Sequence, residues 1–218
     1  MLSNLERPKT LKETALNQLR EAITLGHFSP GERLVERVLC EQLGVSRTVI
    51  RECIRHLESD QLVIASPNIG PTVATLNINQ VKEIYEIRSM LEVSAVRSCA
   101  LIANETIVAE LENYCASITA GLAEGKIKEV LADTRLFYQI IFTAGGKTVA
   151  WDLVERLNGR IGQLRAMTLS SAGRSVTGPK NLLAIVTAIK AHDAETAAQA
   201  CADHLEQAKQ IALNELDS

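Results

Sequence analysis

A chain of 218 residues has room for one large domain or two smaller ones, and its 46% hydrophobic and 22% charged content is that of an ordinary globular protein. A net charge of −3 excludes a polycation, so any nucleic-acid contact must come from a local cluster. Five cysteines, at 40, 53, 99, 115 and 201, are an odd number without a CxxC pair, which argues against a disulfide framework and a zinc knuckle.

Aromatic residues are only 3%, so the core is expected to be aliphatic, and the low counts of Pro (5) and Gly (12) favour helix. The opening "MLSNLERPKT" is polar and charged, unlike a signal peptide, and no apolar run approaches a membrane span. Thiols of this kind suit a reducing compartment, and the expected location is the cytoplasm.

In chain order, residues 10–26 read as a helix with Leu11, Ala15, Leu16, Leu19 and Ile23 on one face and Gly26 as its C-terminal glycine. "HFSPGERL" is a turn around Pro30 and Gly31. A short helix follows over 35–43, with Leu39 and Leu43 inward. Gly44 and Val45 make a tight turn, and Ser46 is a natural N-cap for a helix running to about Asp60. "LVIASPNIGPTVATL" places β-branched runs on both sides of a turn and predicts a two-stranded hairpin. This order is that of a winged helix-turn-helix.

From residue 77 onward the pattern is helical. "NINQ" offers a capping box for a helix to about 103. Asn104 caps a second helix over 105–124, and a third spans about 127–144 before Gly145-Gly146. Thr148 is expected to cap a long fourth helix over 149–171. "SSAGRSVTGP" reads as a break before a fifth helix over 180–191, and Asp193 caps a sixth over 194–216. The predicted fold is mainly α: an N-terminal winged helix-turn-helix in residues 1–75 and a C-terminal all-α antiparallel helix bundle in residues 76–218.

The segment "GVSRTVIRECIRHL" carries the chemistry. Ile50, Ile54 and Leu57 centre on one side of the helix, and Arg51 and Arg55 lie about 120° away, with Thr48 beside them and Arg47 at the near edge. A helix docked on its apolar stripe would present this row outward. The major groove of B-DNA accepts one helix, and arginine bonds the O6 and N7 of guanine in bidentate fashion. Ser46 and the first backbone amides suit a phosphate. Residues 1–75 hold nine Lys and Arg against nine Asp and Glu, so the basic character is a stripe and not an excess. A solvated face paired through Glu52, Glu58 and Asp60 is the structural alternative.

"PGERLVERVLCEQLGVSRTVIRECIRHLESDQLV" resembles the DNA-binding domain of GntR-family transcription regulators over about 40 residues, with PG, LGVSR-T and a VRE-like run at the family's spacing. Val49, Cys53 and Gln61 stand where the family usually has proline, alanine and glycine. The resemblance implies DNA contacts at Arg37, Ser46, Arg47, Thr48 and Arg51, to which the helix geometry adds Arg55. Gly70 takes the place of the glycine at the wing tip, preceded by Ile69 where the family has arginine.

"YEIRSMLEVSAV", "FYQIIFTAGGK" and "NLLAIVTAIKAHDAETAAQACADHL" extend the resemblance to the helical ligand-sensing domain of the FadR subfamily, nearer its VanR-like branch. Many members of that subfamily hold a divalent metal through an aspartate and three histidines. Here Thr134, Tyr138 and Leu182 replace three of those ligands and only His204 remains, with Asp133 one residue out of place. The expectation is that the family's metal site is lost and no metal or other cofactor is bound. Arg88, Thr134, Tyr138 and His204 fall where relatives face a cavity, which points to an effector site. Each has a structural alternative, such as Arg88 pairing with Glu92 one turn away. A buried Arg88 without a fixed partner would favour the carboxylate of a small organic acid.

The expected function is therefore a sequence-specific regulator of transcription, a repressor by family habit. It would act as a homodimer on a near-palindromic operator of double-stranded DNA, with no part in a membrane. The rivals are a helical-bundle enzyme and an interaction module that binds no DNA. The sequence has no paired ExxH motif, no phosphate-binding glycine loop and no GxSxG nucleophile motif.

Overall fold

In a computed structural model, which describes residues 10–67, 69–169, 171 and 174–217, the periodic segments form ten helices and one two-stranded sheet among the described residues. The chain divides into two units, Met1–Thr75 and Leu76–Ser218, each closed around its own apolar core.

The first unit contains α1 (Leu11–Thr24), α2 (Glu36–Leu43), α3 (Arg47–Ser59), β1 (Val63–Ser66) and β2 (Gly70–Val73). A capping box starts α1: the Thr10 hydroxyl accepts from the amide of Glu13, whose carboxylate accepts from the amide of Thr10. Ala15, Leu19 and Ile23 are buried, but Leu11 is 62% exposed and Leu16 only half-buried, so the buried stripe is narrower than the sequence pattern implied. The strands pair antiparallel with Val63 opposite Val73 and Ser66 opposite Gly70. Residues 31–34 run along the free edge of β2, where the amide of Leu34 donates to the carbonyl of Pro71 at 2.8 Å. Arg20 on α1 clamps the end of α3 through Asp60, with Nη2 and Oδ2 2.6 Å apart. Gln61, at the corner between α3 and β1, has φ +57, which explains why glycine is the usual residue there.

The second unit is a bundle of α4 (Ile78–Ile102), α5 (Glu105–Ala123), α6 (Ile127–Ala144), α7 (Thr148–Arg156), α8 (Asn158–Leu169), α9 (Arg174–Lys190) and α10 (Ala194–Asp217). The side chains of Asn77, Asn104 and Asp193 accept amide hydrogens from Gln80, Ile107 and Thr196, capping α4, α5 and α10. The core is mostly aliphatic, with Tyr85, Phe137, Tyr138 and Phe142 as its buried aromatics. Helix α4 packs along α10 and against α6, and α9 lies between α5 and α10.

Two expectations are corrected here. The predicted fourth helix is two helices, broken at Leu157, whose amide folds back on Val154; the N-cap is Lys147, not Thr148. Asn158 and Gly159, both poor in a helix interior, follow the break. The fifth helix begins at Arg174, not near 180, and contains Pro179. Proline removes one amide donor and crowds the preceding turn, a cost of about 3 kcal/mol in a helix interior; burial of Gly178 and Pro179 offsets part of it. Part of the predicted "SSAGRSVTGP" break lies outside the described residues.

Gly145 shows how closely the bundle is packed. A Cβ there would sit 2.8 Å from the carbonyl oxygen of Ala95 and 3.2 Å from the amide nitrogen of Cys99, both backbone atoms of α4. Gly145→Ala is expected to destabilise the helical unit by about 1–3 kcal/mol, as overpacking does, read as a lower midpoint in a thermal melt.

Candidate nucleic-acid interface and effector cavity

Gly44, with φ +65, closes α2 in the left-handed conformation and turns the chain into α3. Ser46 is extended, and its hydroxyl oxygen accepts from the amide of Val49 at 3.4 Å, leaving its own O–H free to donate. Helix α3 then buries Ile50, Cys53, Ile54 and Leu57. Burying each large aliphatic side chain contributes about 1.5–3 kcal/mol, enough to fix the rotation of the helix about its axis. That rotation leaves Arg47, Thr48, Arg51 and Arg55 exposed.

Their electrostatics differ. Nε of Arg51 donates to both carboxylate oxygens of Glu36 at 3.0 Å, and this hydrogen bond and charge raise the Arg51 pKa; the side chain is still 60% exposed. Arg37 pairs with Glu41 along α2 and is likewise exposed. Arg47 and Arg55 make no ion pair with the described residues. At the hairpin, Gly70 has φ +96, which only glycine adopts at little cost, and Ile69 is 51% exposed. Nε of Arg33 lies 4.0 Å from where a Cβ on Gly70 would be. Arg33 joins the hairpin because residues 31–34 bridge to β2, a pairing that no local pattern announces.

In the second unit, α4, α5, α6, α8, α9 and α10 each line one cavity. Its polar wall includes Arg88, Thr134, Arg165, Thr168 and His204; Ile118, Leu122, Leu169 and Leu182 make half of the rest, with Tyr85, Gly178, Pro179 and Ala208. About 40 Å³ at its centre admits water, within about 470 Å³ of empty space that includes its open mouth.

Arg88 is 2% exposed, and it meets the fully buried Glu92 through Nε–Oε1 at 2.7 Å and Nη2–Oε2 at 3.3 Å. Burial by itself would lower the Arg88 pKa, but the opposed Glu92 carboxylate holds the guanidinium charged. Nη1 of Arg88 is buried without a hydrogen-bond partner. The structural alternative for Arg88 is thus realised on one edge of the guanidinium and not on the other.

Thr134 is buried but donates to the carbonyl of Val130 at 2.7 Å, so its hydroxyl proton is spent within α6. Tyr138 does not line the cavity. Its ring lies 5.1 Å beneath the Arg165 guanidinium and edge-on to Phe137, and burial raises its phenol pKa. Burial lowers the Arg165 pKa, and the neighbouring Arg88 charge lowers it further. The structure therefore brings Arg88, Thr134 and His204 to one cavity, sets Tyr138 behind it, and adds Tyr85, Arg165 and Thr168, which the sequence reading did not place there.

Residues 11–73 match the family described as bacterial regulatory proteins, gntR family, and residues 83–207 match the FCD domain. Over 196 residues the chain is 30% identical to the uncharacterized HTH-type transcriptional regulator YdhC of Bacillus subtilis, covering 89% of this chain and 88% of that protein. This chain belongs to the gntR family. As a gntR-family chain with an FCD domain it is a DNA-binding transcriptional regulator, and the enzyme reading is set aside. It is also 23% identical over 189 residues to the HTH-type transcriptional repressor RspR of Escherichia coli, covering 87% of this chain and 83% of that one. The solved structure of E. coli McbR/YncC has the same fold, with a TM-score of 0.81 at 25% identity over 97% of this chain and 100% of that one.

The gntR-family cavity seen here does not fit the divalent cation held by many members of the FadR subfamily that the chain resembles. Thr134 has committed its hydroxyl, Leu182 offers no donor, Tyr138 stands off the wall, and His204 is a single imidazole. The Asp133 carboxylate turns to α5 and accepts from the Ser117 hydroxyl at 2.5 Å. Arg88 and Arg165 add positive charge where a cation would sit. Zinc needs about four donors, and this cavity offers one imidazole. Among the described residues, no helix of this gntR-family chain is long and apolar enough to cross a membrane.

Proposed function

We propose that this chain is a cytoplasmic repressor that binds a near-palindromic operator as a homodimer and releases it when a small organic acid enters the helical domain. Residues 1–75 bind DNA, and residues 76–218 dimerise and sense the effector. Helix α3 enters the major groove. Arg47, Thr48, Arg51 and Arg55 face the bases and the near backbone, Ser46 and Arg37 meet phosphates, and Gly70 brings the wing against the minor groove. In the second unit Arg88 and His204 face the effector; Thr134 and Tyr138 shape its surroundings. The effector acts by favouring one arrangement of the dimer, and operator affinity follows by linkage.

One observation carries the reading: a row of exposed guanidinium groups stands on a helix whose opposite face is locked into an aliphatic core. The repressor name of RspR supports the sign of regulation.

The test uses a duplex enriched by the protein from a random pool. Operator affinity is expected to fall on the order of 10³-fold between 50 and 200 mM salt, because each neutralised phosphate releases counterions. Footprinting is expected to show two half-sites about one helical turn apart. Binding that ignores salt, or a footprint over a single half-site, would overturn the reading.

A further inference from the structure

Three features of the cavity bear on what it holds. Glu92 occupies one edge of Arg88 and leaves Nη1, buried and unpartnered, on a residue of the cavity wall. Arg165 faces the same cavity, and no carboxylate among the described residues lies at ion-pair distance from it. The ring of Tyr138 supports the plane of that guanidinium at 5.1 Å without using any of its N–H donors. Two guanidinium groups against one carboxylate leave one positive charge in excess. The other wall residues carry no formal negative charge and include Ile118, Leu122, Leu169 and Leu182, and the central space is about 40 Å³.

We propose that this cavity binds one monocarboxylate directly, with no metal ion, its carboxylate held between Arg165 and the free edge of Arg88 and its short hydrocarbon tail against Ile118, Leu122, Leu169 and Leu182. The proposal rests on the effector reading above and narrows it. A guanidinium fork matches the geometry of a carboxylate and needs no bridging ion. A second carboxylate on the ligand would exceed the one positive charge in excess and leave a charge buried without an ionic partner. Arg165 therefore takes over the role that a cation plays in a metal-holding relative.

The experiment compares butanoate and succinate, which have the same chain length and differ by one charge. The full chain is treated with EDTA, dialysed and titrated with each acid in a calorimeter, with and without added zinc chloride; the operator complex is titrated in parallel. Butanoate is expected to bind at one per chain without metal and to weaken the operator complex, and succinate to bind at least about tenfold more weakly. Arg165→Gln is expected to weaken butanoate at least about tenfold, as loss of a charged hydrogen-bonded partner does, and Arg165→Lys to restore part of it. Circular dichroism melts check that both variants fold. Tighter binding of succinate, a requirement for zinc, or unchanged butanoate affinity in folded Arg165→Gln would overturn this inference and leave the effector reading standing. No binding of either acid, with or without zinc, would overturn both.

Discussion

Glu92→Leu is expected to destabilise the helical unit by about 3–5 kcal/mol, the cost of leaving one member of a buried ion pair without its partner. Arg88 is 2% exposed, and among the described residues its ion pair is with Glu92, so removing that carboxylate leaves a buried charge without its partner. A unit of this size loses at least roughly 10 °C in melting temperature for such a change. Arg88→Met combined with Glu92→Leu is expected to recover most of the loss, because removing both charges also removes their desolvation penalty. Differential scanning calorimetry of the three variants closes the cycle. A Glu92→Leu protein within about 1 kcal/mol of the parent would mean that Arg88 finds another partner, contrary to the geometry described.

Arg51→Ala is expected to lose about tenfold to a hundredfold in operator affinity and to relax base preference at one position in each half-site, if its fork reads a guanine. Arg51→Lys separates two roles. It keeps the positive charge and most of the salt dependence, but loses the bidentate fit and hence the base preference. Melting temperature is expected to hold in both variants, because the side chain is exposed and its contact with Glu36 lies at the surface. In the proposed complex, Glu36 would compete with DNA for Arg51. Binding isotherms on the enriched duplex and on single-base variants provide the measurement; unchanged affinity in Arg51→Ala would remove Arg51 from the interface.

Most of the local architecture was legible in the sequence because its signals are local. Ser46, Asn77, Asn104 and Asp193 each cap the helix that follows them, and each needs only a neighbour three residues on. The inward face of α3 follows from the spacing of Ile50, Ile54 and Leu57.

Other features depend on parts of the chain far apart. Leu157 is a good helix former, and the break there could have been suspected only from Asn158 and Gly159. Pro179 argued for a helix start that burial overrides. Arg165 carried no local mark at all: it becomes part of the cavity because α8 places it over Tyr138 from α6 and opposite Arg88 from α4. Arg33 carries no local mark for the same reason, since its place at the hairpin depends on the pairing of residues 31–34 with β2.

Each unit seals its own apolar interior, with no residue shared between the two clusters. A chain built this way can be recombined in evolution or in the laboratory. On the proposed division of roles, a new effector domain could be joined to an unchanged DNA-binding domain, and drift in the one need not erode the sequence preference of the other.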